Sequence, residues 1–108
     1  MFASNFIIKE SATTHVRGKD KLTKFAQNKT IATGNTMENH FCSVCGTLMY
    51  RISSGFPGKL IPRIGTIDDF TLQETKLKPR IEQFTKDRVN WLGGGKGVEQ
   101  VEGSYFNG

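Results

Sequence analysis

The pattern of apolar positions along the chain indicates short β-strands. Stretches rich in β-branched and aromatic residues recur with turn-forming residues between them. These stretches are Phe2–Ile8, Lys29–Thr33, Asn39–Cys42, Leu48–Ile52, Leu60–Ile67 and Ile81–Phe84. Their close spacing favours hairpins and meanders over crossovers with long helices. We therefore predict an all-β fold of antiparallel sheets with few or no helices.

The sequence predicts few helical residues. No apolar stripe with a helical period is long enough for an amphipathic helix, and a short turn near Asp69–Gln73 is the best candidate. Asp68 and Asp69 are adjacent and would point to opposite faces of a strand, so we interpret them as turn and capping residues. The Gly-rich stretch from Gly93 contains few apolar side chains that a core could bury. Residues 1–103 are expected to form one domain, with a mobile tail over 93–108.

Composition and charge exclude several classes of protein. The 108 residues are 36% hydrophobic and 23% charged, which is typical of one globular domain. No apolar run reaches the ~18 residues of a membrane helix, and the first residues lack the features of a secretory signal. We expect a cytoplasmic protein with no membrane partner. The net charge is +5, but the lysines are scattered among acids, so nucleic-acid binding is not expected.

Cys42–Ser43–Val44–Cys45–Gly46 is the one motif that carries chemistry. Two cysteines on a tight turn can direct both thiolates at one metal ion, and the following Gly permits the positive φ that such a knuckle needs. A closed zinc site takes four ligands, so the pair is half of one. His40 or His15, or a carboxylate, could complete it. Inert thiols or a disulfide are the alternatives. Apart from zinc, no cofactor is expected.

Four ordered blocks carry a resemblance. Residues 41–48, 65–69, 79–81 and 86–91 are similar in order and spacing to the glutathione-dependent formaldehyde-activating enzyme family, also called the centromere protein V domain. Residues 2–6 and 18–22 also fit the early part of that pattern, so the resemblance covers nearly all of residues 1 to 103. Glu82 departs from it, because relatives often have His at that position.

The resemblance implies an Mss4-like fold and descent from zinc-dependent carbon–sulfur lyases, which join formaldehyde and glutathione to S-(hydroxymethyl)glutathione. Such proteins carry two zinc sites. Cys42 and Cys45 match one half of the structural site, whose other half is a Cys-x-Cys pair on the first strand. The catalytic zinc takes a Cys-His-Cys-x-x-Cys segment that would precede Phe2. We therefore expect incomplete metal sites and no family activity in this chain.

Two other functions remain open at this point. Glu38, His40 and Arg63, with Tyr50 and Arg51, lie in or beside predicted strands and could line a cleft for a small-molecule substrate. Acid–base chemistry without a metal could take place there. The alternative is a non-catalytic binding module. Because the strand from Phe2 would lack the neighbour that the family's first hairpin supplies, we expect its edge to pair with a second copy in a homodimer.

Overall fold

Seven short strands form two sheets in the computed structural model, which describes residues 2–106. The strands are β1 (Ile8–Lys9), β2 (Leu22–Gln27), β3 (Met37–Cys42), β4 (Leu48–Ser53), β5 (Lys59–Pro62), β6 (Ile81–Glu82) and β7 (Glu99–Gln100). The first five make one antiparallel sheet in the order β1-β5-β4-β3-β2. The last two pair in parallel. The all-β prediction is confirmed.

Strands β2 to β5 follow one another as a meander, with each strand beside the next. Tight connections produce this order, because two antiparallel strands need only a short turn. A register shift between His40 and Phe41 interrupts the β3–β4 pairing. Before the shift, His40 stands directly opposite Tyr50. After it, Phe41 stands opposite Leu48. The extra residue is Met49 on β4, just after the turn that carries both cysteines, and bulges of this kind commonly redirect a strand.

One predicted strand is wrong, and two real strands, β2 and β7, were missed. Lys29–Thr33 forms turns that lead into β3, whereas β2 occupies Leu22–Gln27. Four of the six residues of β2 are exposed, so its sequence carries a weak strand signal. Pairing with β3 over all six positions nevertheless makes it a strand. Tertiary pairing has overridden local preference here.

The short helical turn near Asp69 is confirmed as α1 (Phe70–Glu74). The Asp69 carboxylate accepts a hydrogen bond of 2.9 Å from the Thr71 N–H, which is an N-cap. Its predicted capping role is therefore confirmed. Short 3-10 turns occur at Glu10–Ala12, Lys19–Lys21, Ile64–Thr66 and Thr85–Asp87. No helix in residues 2–106 is long and apolar enough to cross a membrane.

The buried core is centred on β5. Leu60, Ile61 and Ile64 are the buried hydrophobic residues of the described chain, and Ser53 is buried beside them. The total accessible surface is 8011 Å², against roughly 6,000 Å² expected for a folded monomer of this mass. The chain thus leaves more surface uncovered than an isolated domain of its size usually does.

The Gly-rich segment predicted as a tail contains β7. The Glu99 N–H donates to the Arg80 carbonyl (2.9 Å), and the Val101 N–H donates to the Glu82 carbonyl (2.9 Å). Farther along, the ring of Phe106 contacts the ring of Phe56 edge-on, with 5.5 Å between centroids. These contacts connect 98–106 to earlier parts of the chain. The last two positions of the predicted tail, 107–108, lie outside the described residues.

Candidate functional site

The cysteine pair lies on the turn that joins β3 to β4. The Cys42 N–H donates to the Thr47 carbonyl (2.9 Å) and the Gly46 N–H donates to the Cys42 carbonyl (2.8 Å), which closes the turn. Gly46 has φ +77°, the left-handed conformation that glycine adopts without a Cβ penalty. The predicted knuckle geometry and the role of its glycine are thereby confirmed.

Hydrogen bonds within the turn favour the thiolate form of Cys45. The Cys45 sulfur lies 3.2 Å from the Thr47 hydroxyl, and this contact is the main cause that lowers the pKa of the Cys45 thiol. Bonds from the Thr47 backbone and from Cys42 act in the same direction. The Val44 N–H points at the Cys42 sulfur at 3.4 Å. Cys45 is exposed and both cysteines are free thiols. The turn therefore presents sulfur groups ready to act as metal ligands.

The donor set fits zinc only in part. Thiolates on a knuckle are the right chemistry and the right local geometry for two of four tetrahedral positions. Within residues 2–106, however, no group of three or more His, Cys, Asp and Glu side chains could hold a metal ion. Cys42 and Cys45 would thus supply two ligands, and the described part of this chain places no third ligand beside them.

A second cluster lies on one face of the large sheet, and we call it the ring cluster: His15, Glu38, His40 and Tyr50. The rings of His40 and Tyr50 are stacked, with centroids 4.8 Å apart and an angle of 18° between planes. They meet because His40 on β3 stands opposite Tyr50 on β4. The ring of His15 also contacts Tyr50, edge-on, with 5.8 Å between centroids. Both histidines of the chain therefore contact one tyrosine.

Hydrogen bonds orient both ends of the ring cluster. His40 Nε2 lies 3.1 Å from Glu38 Oε1, and the two side chains are 17% and 30% exposed. An ionised carboxylate can only accept, so this bond places a proton on Nε2; in the neutral form of the ring, Nδ1 then keeps its lone pair. At the other end, His15 Nε2 and the Tyr50 hydroxyl share a hydrogen bond of 3.0 Å. The cluster can therefore hold or accept a proton at two defined places.

Burial raises the pKa of Tyr50, and the negative charge of Glu10 raises it further. The phenol is thus kept protonated and remains a hydrogen-bond donor at neutral pH. A phenol beside an imidazole is a suitable pair for moving a proton to or from a small molecule.

Arg63 lies apart from the other two cleft candidates. Pro62 is registered opposite Tyr50, so the next residue, Arg63, points to the other face of the sheet. Its Nη1 group donates to Asn5 Oδ1 at 2.9 Å. The structure therefore brings Glu38 and His40 together and separates them from Arg63.

Sequence reasoning did not connect His15 to Tyr50. The two residues are 35 positions apart, and His15 lies in an irregular segment between β1 and β2. No local pattern could have revealed this contact, because it depends on how the segment before β2 crosses the sheet. Tyr50 was identified only as one of several cleft residues, whereas it lies at the centre of the cluster.

Other sequence features have structural explanations. Trp91 is 71% exposed and therefore lies outside the core. Glu82, the departure from the family pattern, accepts a hydrogen bond of 2.7 Å from Arg88 in an ion pair. A groove of ≈ 570 Å³ lies between Lys9–Ser11 and Pro57–Lys59, and its lining includes neither a cysteine nor a member of the ring cluster.

Comparisons with known proteins give one match. The model of the glutathione-dependent formaldehyde-activating enzyme family matches residues 1–87, which include the knuckle, Glu38, His40 and Tyr50. No curated protein and no solved structure matches the chain significantly.

Proposed function

This chain belongs to the glutathione-dependent formaldehyde-activating enzyme family, and from that premise we propose that it is a relative of the zinc-dependent carbon–sulfur lyases with an incomplete metal apparatus. In this form it does not condense glutathione with formaldehyde. Its Cys42 and Cys45 thiols supply half of a structural zinc site.

One observation carries this proposal. In residues 2–106 the knuckle thiols are not joined by any third candidate ligand. Two thiolates hold zinc far more weakly than a closed set of four, because each missing ligand removes a bond and admits water. When bound at such a family site, zinc acts as a Lewis acid and polarises a carbonyl. The knuckle by itself contributes only ligands.

Zinc content tests the ligand half of the proposal. The full 108-residue chain, purified and dialysed against a chelator, should hold well under one zinc per chain by elemental analysis. Added zinc should bind weakly, and Cys42→Ser should abolish that binding. A matched control is Ser43→Ala, which changes the same turn and keeps both thiols. Stoichiometric zinc that survives the chelator would contradict the half-site.

The activity half is tested with glutathione and formaldehyde. In the reaction the sulfur adds to the carbonyl carbon, and the thiol proton moves to the carbonyl oxygen. Exchange between free and bound formaldehyde is measured by NMR against the uncatalysed rate, with and without added zinc. We expect rates at background in both arms. Catalysis that requires zinc and disappears in Cys45→Ser would overturn the proposal.

The ring cluster favours a second candidate function, acid–base chemistry on a small molecule without a metal. Glu38 holds His40 with Nδ1 free to accept a proton, and the protonated Tyr50 can donate one. These groups touch one another over a continuous path from Glu38 to His15. Small thiols and carbonyl compounds are the first substrates to assay, given the family.

Variants separate the two functions. Turnover due to the ring cluster should survive chelation and Cys42→Ser, and should fall strongly in Glu38→Gln and Tyr50→Phe. Arg63→Ala is the control from the opposite face and should retain activity. Turnover that is unchanged in Glu38→Gln would contradict the role of the cluster.

The free edge of β1 supports a homodimer, the third part of the proposal. The Phe6 N–H donates to the Pro62 carbonyl and the Glu10 N–H donates to the Gly58 carbonyl, so alternate residues face β5. The backbone groups of the intervening Ile7 and Lys9 point away from the sheet. Phe2 is 79% exposed and Ile7 is also exposed, which extends this edge with apolar surface. Such an edge pairs readily with another strand.

Light scattering over a dilution series tests the dimer. We expect a dimer at micromolar concentration that Ile7→Pro converts to a monomer, because proline removes the outward N–H. Ile7→Val keeps the backbone donor and should remain dimeric. A wild-type monomer at high concentration, with the Ile7 amide protected from exchange, would contradict the pairing.

A further inference from the structure

One face of the large sheet carries basic side chains that have no acidic partner in the part of the chain that the structure describes, and we call it the basic face. Every second side chain along β5 and the residue after it projects on this face: Lys59, Ile61 and then Arg63. Lys9 stands opposite Lys59, and Arg51 stands opposite Ile61. The remaining positions registered on this face are Asn5, Thr23, Phe25, Gln27, Met37, Asn39, Phe41, Leu48 and Ser53. None of these is Asp or Glu.

Asparagine amides hold both arginines in place. Arg51 Nε donates to Asn39 Oδ1 at 2.8 Å, and Arg63 Nη1 donates to Asn5 Oδ1 at 2.9 Å. The ion pairs of residues 2–106 are formed by other side chains, His40 with Glu38 and Arg88 with Glu82. Each guanidinium has five N–H donors, and within residues 2–106 one of them is engaged on each arginine. Oriented donors therefore remain on both arginines.

The arrangement is electrostatically costly as it stands. Both arginines are half-buried, and burial lowers the pKa of each guanidinium; the positive charge of Arg63 lowers the pKa of Arg51 further. Two like charges that share a partly desolvated surface repel each other. Such charges usually have a counter-charge nearby. A bound anion would supply that counter-charge.

We propose that the basic face binds a small oxyanion, the carboxylate or phosphate group of a ligand, between Arg51 and Arg63. Guanidinium N–H groups match the oxygens of both anions, and charge-assisted bonds of this kind are about twice as strong as neutral ones. Asn39 and Asn5 position the arginines, and Lys9 and Lys59 add positive potential. This site lies on the opposite face from the ring cluster and does not depend on the proposed function.

NMR titration of the full chain tests the site. Sodium phosphate and sodium acetate are the two probes, and sodium chloride at equal ionic strength is the reference. We expect the Nε–H signals of Arg51 and Arg63 to shift saturably with at least one probe, and by less with chloride. The arm that binds more tightly identifies the anion class. Shifts that match those in chloride in both arms would overturn the proposal.

Variants give an independent readout. Arg63→Gln and Arg51→Gln should each weaken binding of the tighter probe at least tenfold. The probe should raise the melting temperature of the wild type and should not raise that of either variant. Without the probe, removing one of two repelling charges should leave the melting temperature equal or higher. Arg17→Gln, an exposed arginine outside the sheet, is the control. Equal weakening in Arg17→Gln would mean that only overall charge matters.

Discussion

The two faces of the five-stranded sheet satisfy their polar side chains in opposite ways. On the face that carries the ring cluster (the ring face), Glu38 pairs with His40 and Tyr50 bonds to His15, so the four members of the cluster have partners within the chain. On the basic face, the partners of Arg51 and Arg63 among the described residues are neutral amides. Because neighbouring residues of the same strands form both faces, strand propensity cannot explain the difference. Which side chains register opposite one another decides it.

Truncation of the core should give the largest difference between the faces. Leu60 is 4% exposed and projects on the ring face, two residues before the partner of Tyr50. Leu60→Ala should lower the free energy of unfolding by about 2–5 kcal/mol, because it removes buried contacts and leaves a cavity. Chemical denaturation followed by circular dichroism measures this effect.

Phe25→Ala is the comparison from the basic face, where Phe25 is 58% exposed. It should cost less than about 1 kcal/mol, since most of this side chain already contacts water. Equal losses in the two variants would show that a partner or a second copy covers Phe25 in solution.

The Tyr50 hydroxyl should contribute less to the free energy of unfolding, and its contribution should depend on pH. Tyr50→Phe removes the bond to His15 and should cost about 1 kcal/mol at neutral pH. Because the pKa of Tyr50 is raised in the folded state, the folded chain keeps the phenol proton longer than the unfolded chain. Its contribution is present below the ordinary tyrosine pKa of about 10 and is lost as the pH rises above that value.

Urea unfolding at several pH values between about 8 and 11 measures this loss of stability. The range brackets the ordinary tyrosine pKa of about 10. The wild type should lose more stability than Tyr50→Phe over that range. Tyr105→Phe is the matched control, since Tyr105 lies outside the large sheet and is exposed. Parallel curves for all three proteins would contradict a buried phenol at position 50.

The pair between Glu38 and His40 should give the smallest change in stability. Glu38→Ala removes one partly exposed ion pair and should cost no more than about 1 kcal/mol. Its clearer effect is on the imidazole, because Nε2 loses its acceptor and the neutral ring can exchange tautomers. Nitrogen chemical shifts of His40 report this change. Glu74→Ala on the exposed side of α1 should leave those shifts unchanged.

Local features of the structure could be predicted from short stretches of sequence. The knuckle followed from the spacing of Cys42 and Cys45 with the glycine after them, and the start of α1 followed from Asp69. Both depend on interactions within a few residues. The strand at Leu22–Gln27 was missed because its residues are mostly exposed and gain their conformation by pairing with β3.

The sequence by itself determined the class of fold, the turn that presents two thiols and the alternation of side chains along each strand, because all three depend on local backbone preferences. Only the tertiary structure decided which side chains meet. A register shift beside His40 sets the pairing that stacks this ring on Tyr50, and the path of the chain before β2 brings in His15. The pairing of β4 with β5 places Arg51 near Arg63. Contacts between residues far apart in sequence depend on strand register, which short-range patterns do not encode.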